Sequence, residues 1–303
     1  MRTPLLLAAV SLLACRHPAL PLPPPPPVAA DPAPPAAETR DVDLDDGFIH
    51  VQLQIPAQPS GPKPAVIAFI GEGSALLASG AVTVSYRARW DENKPNSQPP
   101  SERTVGKLIL ASPSAQVLGR KYFEHVAATA TKVLPRVVDY LATVPEIDPG
   151  RIAITGGSTN GFIALRAVAN DPRLAVAAVE FTCADFHAFL RWSPLGMEGR
   201  PLTLDRGYDR WLREQSPILH PERLLHAAIL LVAGTADQYV PMRCVDSTAR
   251  VLREAYTRAG TPERFALIVF ENQGHAIAER ERQPAIDWLV RWLALSPPAA
   301  PAR

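Results

Sequence analysis

What most constrains this chain is a series of short apolar runs that do not alternate with polar residues: Ala65–Ile70, Ala81–Val84, Ile152–Ile154, Ala175–Val179, Ala228–Val232 and Phe265–Phe270. A strand with one wet face alternates apolar and polar positions. Continuous runs arise when both faces are covered, as in a parallel sheet. Segments of helical period lie between them. Tyr122–Leu141 sets Val126, Val133, Val137, Val138 and Leu141 on one face, and Pro135 is expected to kink it. Gly161–Ala169, Asp246–Ala259 and Pro284–Leu295 are further helical segments. Ahead of the alternation, Phe48–Ile55 has period 2, and Asp45-Asp46-Gly47 before it supplies a turn. Val42 and Leu44 are therefore expected in its hairpin partner. The predicted fold class is α/β: a three-layer α/β/α sandwich around a mostly parallel, eight-stranded sheet.

The two ends are of different character. Met1–Ala14 carries Arg2 and then the apolar run Leu5–Val10. That is too short to span a ~30 Å hydrocarbon core, but fits a secretory signal peptide. Leu12-Leu13-Ala14-Cys15 resembles a bacterial lipobox, which predicts cleavage before Cys15 and its lipidation; plain secretion with an incidental cysteine is the alternative. Residues 15–40 include Pro23–Pro27 and Asp31-Pro32-Ala33-Pro34-Pro35. Such a segment lacks amide hydrogens and apolar bulk, so a polyproline stalk is expected. The predicted organisation is a signal peptide over 1–14, a lipidated linker over 15–40, a folded domain over 41–295 and a frayed tail over 296–303. The expected location is the bacterial cell envelope, with the membrane contacted through the lipid. Lys and Arg number 31 against 30 Asp and Glu, which argues against a nucleic-acid partner.

Three short motifs carry chemistry. Arg151–Gly161 reads as a strand, a tight turn tipped by Ser158, and the start of a helix, the arrangement of a nucleophile elbow. The helix start brings the Thr159 N–H beside the serine, where it can stabilise negative charge. Ile229–Pro241 is a strand ending in a small-residue turn with Asp237 at its carboxyl end. Phe265–Ile277 is a strand followed by Glu271-Asn272-Gln273-Gly274-His275. Each alone has a bland reading: a Gly/Ser loop, a capping aspartate, a packed or surface histidine. The order Ser158, Asp237, His275, each just past a strand, is what joins them.

On these motifs the chain resembles the α/β-hydrolase superfamily, especially its dienelactone-hydrolase and prolyl-oligopeptidase-like branches, over roughly Asp41–Leu295. The resemblance implies a catalytic set of Ser158 as nucleophile, His275 as base and Asp237 as its orienting acid, with Glu180 or Asp185 as the reserve acid. It also implies an oxyanion hole from the backbone N–H of Thr159 and one from Gly71, Glu72 or Gly73. Two departures stand out. Asn160 occupies the last position of the usual Gly-x-Ser-x-Gly, with Gly161 one residue late. Gly71-Glu72-Gly73-Ser74 stands where relatives often have His-Gly-Gly, so Glu72 is expected to face solvent or a cationic group.

Phe181–Leu219 is too long for a simple connection, and in this fold its position implies a small cap over the site. Trp192, Trp211 and Phe186 are its candidate pocket residues. Cys183 and Cys244 follow strands expected to be neighbours; a disulfide and two buried thiols are both open. The predicted activity is cleavage of a small-molecule or polymeric carboxylic ester through an acyl-enzyme on Ser158. Peptide or amide hydrolysis by the same residues is the runner-up. A catalytically silent surface lipoprotein binding a partner or glycan is a third reading. No metal or organic cofactor is expected, since no His-Glu-x-x-His, paired-cysteine or dinucleotide fingerprint occurs.

Overall fold

A computed structural model describes residues 37–68, 73–89, 122–276 and 279–295 of the chain. The signal, lipidation and tail expectations lie outside these residues, as do Gly71, Glu72 and the expected stalk up to residue 36. The boundary of that stalk is a correction: residues 37–40, expected in the linker, belong to the first strand, because their backbone pairs with residues 53–56.

β1 (Ala37–Leu44) and β2 (Ile49–Pro56) form the expected hairpin, with Val42 opposite Val51 and Leu44 opposite Ile49. Asp45, Asp46 and Gly47 turn the chain at φ 49°, 54° and 81°. Aspartate enters this left-handed region more readily than most residues, and glycine does so freely. β3 (Lys63–Ala68), β4 (Val82–Ala88), β5 (Ile147–Gly157), β6 (Leu174–Glu180), β7 (Ala228–Gly234) and β8 (Phe265–Phe270) complete the sheet. Its order is β1-β2-β4-β3-β5-β6-β7-β8, antiparallel through β1, β2 and β4 and parallel from there on.

The continuous apolar runs divide between two faces by strand alternation. Ile152, Ile154, Ile229 and Leu231 face one core; Ala153, Ala228, Leu230 and Val232 face the other. Helices α1 (Gly73–Ala78) and α8 (Glu279–Trp292) cover the second face, where Leu76, Ala285, Trp288 and Leu289 are buried. The first face carries α2 (Phe123–Ala128), α3 (Leu134–Leu141), α4 (Thr159–Val168) and α7 (Met242–Arg258). This is the three-layer sandwich.

The interruption caused by Pro135 differs from a simple kink. Thr129–Val133 forms a π-helical turn between α2 and α3, and the Leu134 N–H reaches back to the Thr129 carbonyl. A proline cannot donate to the carbonyl four residues earlier, and its ring crowds that turn, so the helix widens instead of breaking. Helix α8 also starts earlier than Pro284, which sits within it. Between β6 and β7, α5 (Phe186–Trp192) and α6 (Arg206–Gln215) make up the cap, with Asp185 and Asp205 capping their N-termini. Cys183 and Cys244 are joined in a disulfide, Cα–Cα 5.8 Å, which ties the base of the cap to α7.

Candidate active site

β5 ends at Gly157 and α4 begins at Thr159, leaving Ser158 alone to reverse the chain. It does so at φ 54° and ψ −123°, and its N–H donates to the Glu180 carbonyl at 2.9 Å. A non-glycine residue in this region is strained, and the turn aims the hydroxyl away from both neighbouring elements. The late glycine has a packing reason. A Cβ at Gly161 would lie 2.6 Å from Thr182 Cγ2 and 3.1 Å from the Gly156 carbonyl oxygen. The close approach of helix to sheet therefore falls at Gly161, and the half-buried Asn160 at the usual glycine position is accommodated.

The structure brings the three motifs together. Ser158 Oγ is 2.9 Å from His275 Nε2, and His275 Nδ1 is 2.8 Å from Asp237 Oδ2. The other Asp237 oxygen accepts from the N–H groups of Tyr239 (2.8 Å) and Val240 (2.9 Å). With its side chain 2% exposed, the carboxylate is fixed at both ends. Asp237 and His275 meet because the β7 and β8 ends pack very closely. A Cβ on Gly234 would collide with the Gln273 carbonyl, and Ala236 N–H donates to that same oxygen at 3.0 Å. Rings of Phe181 and Tyr239 stand edge-on to the imidazole, at 5.9 and 5.2 Å.

The alternative acids have other surroundings. Asp185 accepts from the Ala188 N–H and from Ser247 Oγ, so it fastens α5 to α7. Glu180 is buried at the end of β6, where its main chain anchors the serine turn.

As the first residue of α4, Thr159 has an N–H without an intrahelical acceptor, available to an oxyanion. Of the expected second donors, Gly73 opens α1. Sequence reasoning missed Tyr122, which hydrogen-bonds the Thr159 side chain and whose hydroxyl burial pushes up to about 12. It also missed Tyr239. Both are aromatic residues whose roles depend on contacts remote in sequence.

The candidate pocket residues separate. Phe186 is a correction: it is fully buried, with its ring 4.4 Å from Phe123 and 5.8 Å from Phe162, and so forms core beneath the cap. Trp211 packs at 5.3 Å against the buried Tyr208. Trp192 borders a cavity of about 800 Å³. No group of three or more His, Cys, Asp or Glu able to hold a metal occurs among the described residues.

The prolyl oligopeptidase family model matches residues 133–295, more than half of the chain and the span holding Ser158, Asp237 and His275. The chain belongs to the prolyl oligopeptidase family. A fungal glucuronyl esterase model matches residues 44–193. Solved structures share the fold at low identity. A puromycin-hydrolysing peptidase of Mycobacterium tuberculosis has 18% identity and TM-score 0.60, covering 87% of this chain and 40% of its own. An acylaminoacyl peptidase has 16% and 0.60, covering 88% and 43%. The 2,6-dihydroxy-pseudo-oxynicotine hydrolase has 22% and 0.55, covering 88% and 71%. The chain thus spans about two fifths of the length of these two peptidases. No curated protein matches it.

Proposed function

We propose that this family member hydrolyses carboxylic esters through an acyl-enzyme on Ser158. The observation that carries the reading is the hydrogen-bonded series Ser158–His275–Asp237 with its serine on a strained strand-to-helix turn. His275 Nε2 takes the Ser158 proton as Oγ attacks the carbonyl. Asp237 holds the imidazole in the tautomer with its proton on Nδ1, and stabilises the cation that forms. The Thr159 N–H meets the developing oxyanion, joined by a donor from Gly71, Glu72 or Gly73. His275 then protonates the leaving oxygen, and water repeats the sequence on the acyl-enzyme.

The glucuronyl esterase match over residues 44–193, which include the serine turn, favours an ester. The family match and the peptidases among the fold neighbours favour the second reading, an amide or peptide bond cleaved by the same residues. A fluorophosphonate probe should label the wild type and not Ser158→Ala; absence of wild-type labelling would refute both hydrolytic readings. Graded p-nitrophenyl esters compared with peptide p-nitroanilides then separate them, with the esters expected to turn over faster. We also propose, on the Leu12-Leu13-Ala14-Cys15 motif, an exported protein held in the cell envelope by lipid on Cys15.

A further inference from the structure

Between α5, α6 and the start of α7 lies a cavity of about 800 Å³, bordered by Arg191, Arg206, Arg213 and Arg243. A second cleft of about 480 Å³ shares Arg243 and Ser247 with it and continues along α7 to Arg250 and Arg253. Neither is bordered by Ser158, Asp237 or His275. Among the described residues, Arg213 pairs with Asp209 at 3.0 Å and Arg250 lies 3.9 Å from Glu254. Arg191, Arg206, Arg243 and Arg253 form no ion pair with a described residue. Six arginines border the two cavities against the three carboxylates of Asp185, Asp209 and Asp246, which in a chain of net charge +1 is a local excess of positive charge.

Two of these cations are held in place. The guanidinium carbon of Arg243 is 4.1 Å from the Trp192 ring centroid, and that of Arg191 is 4.9 Å away. The indole is itself wedged, since a Cβ on Gly199 would lie 2.9 Å from Trp192 Cζ3. Stacking steadies a guanidinium while leaving its N–H edges free to bind an oxyanion. Trp192 thus serves as a platform for arginines.

The rest of the lining narrows the ligand. Guanidinium groups only donate, whereas the carboxylates of Asp185 and Asp209 only accept, and beyond the donors they already hold (Ala188 N–H and Ser247 Oγ on Asp185, Arg213 on Asp209) each carboxylate has further lone pairs. A bare polyanion would satisfy the arginines but meet both aspartates with like charge. A ligand with an anionic group and several hydroxyls satisfies both sets, and the hydroxyls of Thr203 and Ser247 add further partners. The volume is in the range of small-ligand sites, about 300–1,000 Å³. We propose that this cap cavity binds a polyhydroxylated oxyanion, a sugar bearing a carboxylate or a phosphate.

Calorimetric titration of the full chain at low salt tests this with D-galacturonate, glucose 6-phosphate, glucose and glutarate as probes. At least one sugar anion should bind about tenfold or more tighter than both glucose and glutarate, and weaken with added salt. Which sugar anion prevails identifies carboxylate or phosphate as the group read. Arg206→Gln and Arg243→Gln, both at exposed positions, should each weaken binding about tenfold at unchanged melting temperature. Ser158→Ala should bind as wild type whatever bond the serine cleaves. The proposal is overturned if no sugar anion exceeds both controls, if both arginine variants bind as wild type, or if binding is lost in Ser158→Ala.

Discussion

Ser193 Oγ donates a 2.7 Å hydrogen bond to the Tyr239 carbonyl, joining the end of cap helix α5 to the residue whose ring packs edge-on against His275. Ser193 is fully buried and its oxygen also accepts from the Leu195 N–H. The cap is therefore coupled to the Asp237 loop by one side chain. Ser193→Ala should leave the Tyr239 carbonyl short of a donor, destabilise the fold by about 1–3 kcal/mol, and lower kcat/KM a few-fold. Esterase assays and thermal melts check this; Ser193→Thr, which keeps the hydroxyl, should recover part of both.

Asp237→Asn should leave the fold intact and lower kcat about 10⁴-fold, because the amide favours the wrong histidine tautomer. Its neighbour is specific: both oxygens of Asp237 are in use, one toward His275 Nδ1 and one toward two backbone N–H groups. Near-wild-type kcat in Asp237→Asn, with a crippled Glu180→Gln or Asp185→Asn, would transfer the orienting role to that residue.

Gly161→Ala should be costly at a position where sequence pattern alone would place no demand. The added methyl meets Thr182 Cβ and Cγ2 at 2.7 and 2.6 Å, and the nearest is not the far end of a flexible chain. Overpacking of this kind costs about 1–3 kcal/mol. Asn160→Gly, by contrast, should leave fluorophosphonate labelling of Ser158 within a few-fold of wild type. Loss of labelling in Asn160→Gly but not in Gly161→Ala would reverse the assignment of the packing glycine.

Stability should fall as the pH drops below about 6.5, the ordinary histidine value. Burial lowers the pKa of His125, His187 and His226 in the fold. Above that pH all three are neutral in both states and contribute nothing to a pH dependence. Below it the unfolded chain binds protons first, so unfolding is favoured until the folded histidines titrate as well. Melting temperatures across roughly pH 5–8, the range of histidine titration, should show the decline, and His226→Gln should reduce its slope. An unchanged slope in His226→Gln would remove that histidine from the account.

Cys15→Ser should release the protein from membrane fractions or block its processing. Mature wild-type protein found wholly in the soluble fraction, with an unmodified Cys15, would end the lipid-anchor proposal.

The layering of this fold was legible from local pattern. Six apolar runs without alternation require burial on both faces, and a turn of Asp45-Asp46-Gly47 requires a hairpin, so the sheet and its hairpin follow from residues a few positions apart. The order of Ser158, Asp237 and His275 was legible because each follows a strand directly. Other features were decided by contacts across the sequence. Phe186 reads as well for a pocket as for a core, and only the approach of Phe123 and Phe162 from α2 and α4 made it core. Gly161 gains its meaning from Thr182 on the neighbouring crossover. Cys183 and Cys244, open between thiols and a bridge, were joined by the geometry that sets α7 against the base of the cap. The arginines of the cap and α7 converge on one cavity although up to 52 positions separate Arg191 and Arg243. Periodicity is a local property and travels with the chain; which side chains face one another is fixed only when the layers close.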